Sequence, residues 1–217
     1  MSGTGYTITM AVLTVLLLSL YLVRAVLGSY YRNRLVACVQ RCDLEAYEAI
    51  AGKKLTGLLV PPFNLHYMRL NLYMMLEKEK ETEQEFDFLL AMSTGKTMRR
   101  EVVRKAYYYF VKRRDGKRCR PLWDELLTFA EEGEARECDL LYEIYILKKS
   151  SHIKELQEGI EDLPLTERAV NEYLISLQYE NQGKMDLARE YEELSQLHLR
   201  EAVEASDSAQ EEEEEEE

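Results

Sequence analysis

The sequence predicts an all-α protein, in which one N-terminal transmembrane helix is followed by a solenoid built from pairs of helices. Three observations support this fold class. The first 23 residues carry no charged side chain, the 217-residue chain has only ten glycines and four prolines, and apolar residues recur at steps of three and four in most later segments. Such spacing is typical of amphipathic helices, and the shortage of turn residues disfavours a β-sheet.

The apolar segment predicts a membrane anchor within residues 1–28, with its helix over about residues 6–27. Some twenty apolar helical residues cross the roughly 30 Å hydrocarbon core of a bilayer. Arg24 follows the apolar run, and its long side chain can extend to the headgroups. The residues expected to contact lipid are Ile8, Leu13, Leu16, Leu17, Leu20 and Leu22.

The charges around this segment predict the side of the membrane on which the rest of the chain lies. Basic residues follow the apolar run at Arg24, Arg32 and Arg34, and none precedes it. That pattern favours a retained anchor over a cleaved signal peptide, and the positive-inside rule places the following residues in the cytoplasm. We therefore expect a single-pass protein of the cell (inner) membrane whose folded domain faces the cytoplasm.

Breaks in the helical pattern divide residues 29–203 into five helix pairs. Tight turns are predicted near 42–43, 80–81, 115–116, 150–151 and 183–184, and longer ones near 61–62, 93–96, 132–133 and 164. The tight turns recur at roughly 35 residues, which is a period typical of helix-pair solenoids. The first helices of the later pairs then cover about 63–78, 98–113, 135–148 and 166–181. Because no proline lies between residues 6 and 41, the membrane helix is also expected to continue into the first helix of the domain.

The last pair contains the residues of a known repeat. The segment from Tyr179 to Tyr191, with Gly183 and Ala188, resembles the core of a tetratricopeptide repeat. In that family, the glycine makes room at the turn and the alanine lets the two helices pack closely. The other four pairs depart from this pattern. The layout is also similar to that of single-span bacterial membrane proteins with a tetratricopeptide-like domain, and the resemblance implies an adaptor that binds other proteins.

The predicted function is therefore protein recruitment or scaffolding at the cytoplasmic face, without catalysis and without a cofactor. Peptide-like partners are expected on the first helices of the pairs, at Asn71, Arg100, Arg104, Tyr108 and Tyr145. The run from Thr94 to Thr97 resembles the end of a phosphate-binding loop, but the glycine required five residues before Gly95 is absent. We expect no metal and no small-molecule substrate, because the three histidines are widely scattered and no nucleophile motif is present.

Residues 96–120 form a basic segment that supports an alternative function. Eleven basic residues lie there against only Glu101 and Asp115, in a chain whose net charge is −12. Besides Arg100 and Arg104, the basic residues are Lys96, Arg99, Lys105, Lys112, Arg113, Arg114, Lys117, Arg118 and Arg120. In the alternative, the protein is a peripheral sensor that binds anionic lipid or nucleic acid through this segment. The overall negative charge disfavours nucleic acid.

The chain ends in a run of seven glutamates. Because like charges repel and few apolar residues are available for a core, residues 204–217 are predicted to form a disordered acidic tail.

Overall fold

The computed structural model describes residues 3–93 and 95–215, and the side chains of 10–93 and 95–208 within them. Every regular element in these residues is a helix and none is a strand, which confirms the all-α prediction. The chain divides into two compact units, residues 1–102 and 103–217.

Helix α1 is one uninterrupted helix over Gly3–Gln40, which is longer at both ends than the predicted 6–27. Its part from Met10 to Gln40 is long and apolar enough to cross a membrane, and the apolar window within it is not buried by the rest of the protein. The predicted lipid-facing residues Leu13, Leu16, Leu17, Leu20 and Leu22 are all exposed, whereas the side chain of Ile8 lies outside the described residues. The expected continuation into the first helix of the domain is confirmed, because Gly28 and Ser29 do not interrupt the helix.

The first unit folds the end of α1 together with four helices. These are α2 (Leu44–Ala51), α3 (Lys54–Leu59), α4 (Pro62–Met75) and α5 (Glu79–Met92). Their core contains Leu35 and Cys38 from α1, Tyr47 from α2 and Leu72 from α4. The Asp43 carboxylate caps α2 by accepting the backbone N–H of Ala46 at 2.9 Å, as its position before the helix requires. The last turns of α1 are thus part of the core of this unit.

A polar network connects α2, α4 and α5. The Arg69 guanidinium donates to both carboxylate oxygens of Glu48, at 2.7 and 3.1 Å. His66 Nδ1 lies 2.5 Å from Glu85 Oε1, and Glu85 is buried. The two-pronged contact between Arg69 and Glu48 has the geometry that makes arginine–carboxylate pairs strong and directional.

The second unit begins inside α6 and contains the remaining helices. These are α6 (Lys96–Lys112), α7 (Gly116–Leu126), α8 (Glu132–Leu141) with a π-helical turn (Tyr142–Ile146), α9 (Ile153–Gln157), a 3-10 turn (Ile160–Asp162), α10 (Leu165–Asn181) and α11 (Met185–Glu215). Tyr107 is fully buried, and its hydroxyl donates to the backbone oxygen of Cys138 at 2.6 Å. This contact holds α6 against α8.

Several breaks differ from the predicted positions. The turn expected near 80–81 lies before Glu79, because Glu77 takes the left-handed conformation (φ 53°) without a glycine to mark it. The break expected at 132–133 ends before Glu132, since Gly133 is already helical. Helix α11 extends to Glu215, and the disordered tail from residue 204 stays a prediction. Residues 147–164 form only α9 and the 3-10 turn, so the regular pairing of helices is not seen there, and the solenoid stays a prediction.

Helices α10 and α11 form the hairpin that the tetratricopeptide resemblance led us to expect. Gly183 has φ +74° at the turn, but a Cβ placed there would meet nothing within 4 Å. The glycine is therefore needed for its left-handed backbone and not for space. Ala188 is buried, and the rings of Tyr179 and Tyr191 lie 5.5 Å apart across the hairpin.

A buried ionic cluster joins the same two helices. Glu172 on α10 is almost completely buried, and one of its carboxylate oxygens lies 2.7 Å from Nδ1 of His198 on α11. The other oxygen accepts Nε of Arg168 at 3.2 Å, and Arg168 also pairs with Glu161. A buried carboxylate of this kind is tolerated only because both of its oxygens have partners.

Candidate protein-binding groove

The second unit carries a concave surface between α6, α8 with its π-helical turn, α10 and α11, with a volume of about 430 Å³. Three tyrosines surround it, Tyr108, Tyr145 and Tyr173, and we call it the tyrosine groove. The apolar residues that complete its lining are Leu141, Ala169, Val170, Leu174 and Leu199. Aromatic and aliphatic side chains of this kind are typical of sites that bind apolar side chains of a partner.

Two of the tyrosines form fixed walls. Tyr145 is only 8% exposed, and burial, followed by the neighbouring Tyr173, raises the pKa of its phenol. The Tyr108 hydroxyl donates to Glu137 Oε1 at 3.0 Å, and burial also raises the Tyr108 pKa. Both phenols therefore stay neutral over the physiological pH range, and the groove presents them as rigid rings with satisfied hydroxyls.

The rim of the tyrosine groove carries exposed apolar side chains beside the exposed polar residues Lys112, Glu192 and Gln196. Val170 is 57% exposed, Leu199 is 52% exposed and Tyr173 is 40% exposed. Val170 and Tyr173 stand three residues apart on α10 and therefore share a face, and Leu199 faces the groove from α11. Clustered exposed apolar groups around a concave floor are characteristic of surfaces that bind another molecule.

A second cavity of about 420 Å³ continues the groove on the far side of Tyr173 and Glu192, which line both. It contains Arg114 and Arg189, and we call it the arginine cleft. Arg114 donates to Glu180 at 2.8 Å, and this hydrogen bond is the main reason that the pKa of Glu180 is lowered. The tyrosine groove and the arginine cleft together form one surface, and most of its apolar side chains lie in the groove.

The length of this surface follows from the spacing of its residues on α11. Met185, Ala188, Glu192, Ser195 and Leu199 line it at steps of three and four. At 1.5 Å per residue, the stripe from 185 to 199 is about 21 Å long, or nearly four helical turns.

The structure brings together only some of the residues that the sequence predicted for partner binding. Tyr108 and Tyr145 both line the tyrosine groove, although Tyr145 is more buried than a surface contact was expected to be. Arg104 lies 4.0 Å from Glu134 and does not line the groove. Asn71, on α4, and Arg100 belong to the first unit.

Three residues of the rim were missed, namely Val170, Tyr173 and Leu199. The sequence indicates them only indirectly, because α10 and α11 carry more apolar residues than the packing of the two helices against each other buries. Reading that excess as a binding surface required knowledge of which residues the hairpin covers, and this depends on tertiary packing.

Many basic side chains of the segment 96–120 have partners inside the protein. Arg114 pairs with Glu180, and Arg120 pairs with Asp124 at 3.1 Å while lying over the Trp123 ring. Further contacts are Arg118 to Asp115, Arg113 over the Tyr109 ring, and Arg99 to the backbone oxygen of Leu90. Lys96, Lys112 and Lys117 are exposed, and Lys105 is half-buried. Of these contacts, those to Glu180, Asp124 and Asp115 pair a basic side chain with a carboxylate, and the lipid or nucleic-acid alternative stays a prediction.

Comparisons with known proteins gave no relative: no protein-family model matches the chain, and no curated protein and no solved structure is similar to it.

Proposed function

We propose that this chain is a membrane-anchored adaptor that holds a helical segment of a protein partner across the tyrosine groove and the arginine cleft. The observation that carries the proposal is the exposed apolar group of Val170, Tyr173 and Leu199 beside the buried Tyr145 and the half-buried Tyr108. Exposed apolar rims of this kind release water when a partner covers them, and the free energy of binding comes mainly from that release.

The dimensions of the surface support a helix as the bound segment. A stripe of about 21 Å accommodates roughly 14 helical residues, with apolar side chains at steps of three and four. Two or three of these side chains would fill the tyrosine groove. Polar residues at the other end of the segment would meet Arg114, Glu180 and Arg189 in the arginine cleft.

The anchor determines where such a partner would be recruited. The exposed apolar part of α1 supports an integral membrane position, and the basic residues that follow it support a cytoplasmic domain. The protein would concentrate its partner at the inner face of the cell membrane. No catalytic step is required for this role.

Site-specific photocrosslinking in intact cells tests the proposal. A photoreactive residue is placed at Val170 or Leu199 in the rim, and at Leu147 as the control. Leu147 is also about half exposed and belongs to the second unit, but it does not line the groove. We expect both rim positions to crosslink to the same protein and Leu147 not to do so.

The partner then allows a quantitative test with purified proteins. Val170→Glu places a charge where apolar groups would be buried, so we expect its affinity to fall at least about tenfold, equivalent to roughly 1.4 kcal/mol. The matched variant Leu147→Glu should bind like the unchanged protein. Equal affinities for the two variants, or rim crosslinks no richer than those of the anchor alone, would refute the proposal.

A further inference from the structure

A short helix of the first unit lies beside the end of the membrane-spanning part of α1. Nη2 of Arg24 donates to the backbone oxygen of Leu58 at 3.2 Å, although the two residues are 34 positions apart. One turn further along α1, a Cβ built on Gly28 would lie 3.4 Å from the backbone oxygen of Leu59. Helix α3 therefore packs against α1 at the level of residues 24 to 28.

The two faces of α3 differ in their surroundings. Thr56 is completely buried and donates to the backbone oxygen of Ile50 at 2.8 Å, and Val60, just after the helix, belongs to the core. Leu55 and Leu58, three residues apart, share the other face and are 45% and 70% exposed. The inner face fixes α3 to the unit, and the outer face has no protein covering it.

The position of these leucines relative to the anchor indicates what covers them. The apolar part of α1 ends at about Leu27, so Arg24 lies within one turn of the boundary of the hydrocarbon. Because the Arg24 guanidinium extends toward the headgroups, its bond to the Leu58 backbone places α3 at the edge of the hydrocarbon. Lys53 and Lys54 precede the leucines and are exposed, so cations lie next to the apolar face, as in helices that lie in a membrane interface.

We propose that α3 is an interfacial helix that inserts Leu55 and Leu58 into the leaflet on the domain side, with Lys53 and Lys54 at the lipid phosphates. The Arg24 bond holds it at that depth. This inference rests on the transmembrane position of α1 in the proposed function and adds a second contact with lipid, independent of the groove. The protein then touches the bilayer at two points, which restricts rotation of the first unit about the anchor.

Depth-dependent quenching in vesicles tests this contact with the full-length chain. A Cys42→Asn parent removes the exposed thiol, and asparagine tolerates the left-handed backbone at that position (φ 55°). An environment-sensitive fluorophore is attached to a new cysteine in Leu58→Cys, Val23→Cys or Met75→Cys. The vesicles contain phosphatidylcholine and phosphatidylglycerol, with or without bromine on the acyl chains.

Val23 is the positive control, because it is an exposed residue of the anchor. Met75 is the matched negative control: it is 52% exposed, and it lies one turn after Leu72, which belongs to the core with Leu35 and Cys38 beyond the apolar part of α1. We expect bromine to lower the fluorescence at positions 23 and 58 by about twofold or more, and to leave position 75 unchanged. Unlabelled parent protein checks that the buried thiols do not react.

The outcomes separate this inference from the proposed anchoring. Quenching at position 23 with none at position 58 overturns the interfacial helix while the transmembrane helix stands. Absence of quenching at both positions overturns both. Equal quenching at 58 and 75 also overturns the inference, because it would mean that the whole unit lies on the membrane and not α3 in particular.

Discussion

The buried ionic cluster at the α10–α11 hairpin makes a measurable prediction about stability. Glu172→Ala removes the carboxylate that accepts His198 at 2.7 Å and Arg168 at 3.2 Å. Removing one partner of a buried pair costs 3 to 5 kcal/mol in general, and the lower end applies here because Arg168 keeps its contact with Glu161. We therefore expect the free energy of unfolding to fall by about 3 kcal/mol.

The chain supplies its own reporter for this measurement. Trp123 is the single tryptophan, it belongs to the second unit, and its ring stacks on Tyr142 at 4.8 Å. Its fluorescence during urea unfolding of the detergent-solubilised chain follows that unit. With a slope of about 1.5 kcal/mol per molar urea, a loss of about 3 kcal/mol lowers the midpoint by about 2 M.

Two comparisons make the test decisive. Glu193→Ala removes an exposed carboxylate from the same hairpin, and its midpoint should stay within about 0.3 M of that of the unchanged protein. In a double-mutant cycle of Glu172→Ala with His198→Ala, the double variant should lose on the order of 1 kcal/mol less than the sum of the single losses. A Glu172→Ala midpoint equal to that of Glu193→Ala would refute the assignment of a stabilising buried pair.

Two further predictions use the same fluorescence signal. Gly183→Ala should lower the free energy of unfolding by about 1 kcal/mol, because alanine is strained at φ +74°. The control Gly133→Ala lies in open space within a helix and should raise the free energy of unfolding or leave it unchanged. Equal effects of the two substitutions would contradict the need for a left-handed glycine at the turn. The pKa of Glu143 is lowered from 4.5, mainly by hydrogen bonds from Lys149 and His152, so its stabilisation is complete above 4.5 and is lost as the pH falls through its lower folded-state pKa. The free energy of unfolding of Glu143→Gln should therefore fall less steeply with pH below 4.5 than that of the unchanged protein. Equal slopes for the two proteins would contradict this role of Glu143.

Local patterns predicted the all-helical class and several of the turns. The turns at Asp43 and Asp115 were marked by residues that cap the next helix, and Asp115 does accept the backbone N–H of Arg118 at 3.1 Å. The turn at Glu77 was misplaced, because a left-handed glutamate leaves no trace in composition. Turns were predicted correctly where a residue type with a local preference, such as a capping aspartate, marked them.

The lining of the tyrosine groove and the partners of the basic side chains could not be predicted from local patterns. Arg114 and Glu180 are 66 residues apart, so the pair that offsets one of the charges depends on tertiary packing. The rim depends on which apolar faces remain uncovered after folding, and the same holds for Leu58. Hydrophobic periodicity shows which face of a helix is apolar. It does not show which part of that face the other helices cover and which part remains exposed.

With α1 in the bilayer, as we propose, the continuity of this helix couples the first unit mechanically to the membrane. Since Leu35 and Cys38 belong at once to this helix and to the core, the unit cannot turn independently of the segment in the bilayer. A helix tilts more when the surrounding bilayer becomes thinner. The roughly 18 Å of α1 beyond Gly28 would then carry the unit sideways by about 3 Å for each 10° of tilt. A change in bilayer thickness would therefore shift the position of the first unit relative to the membrane.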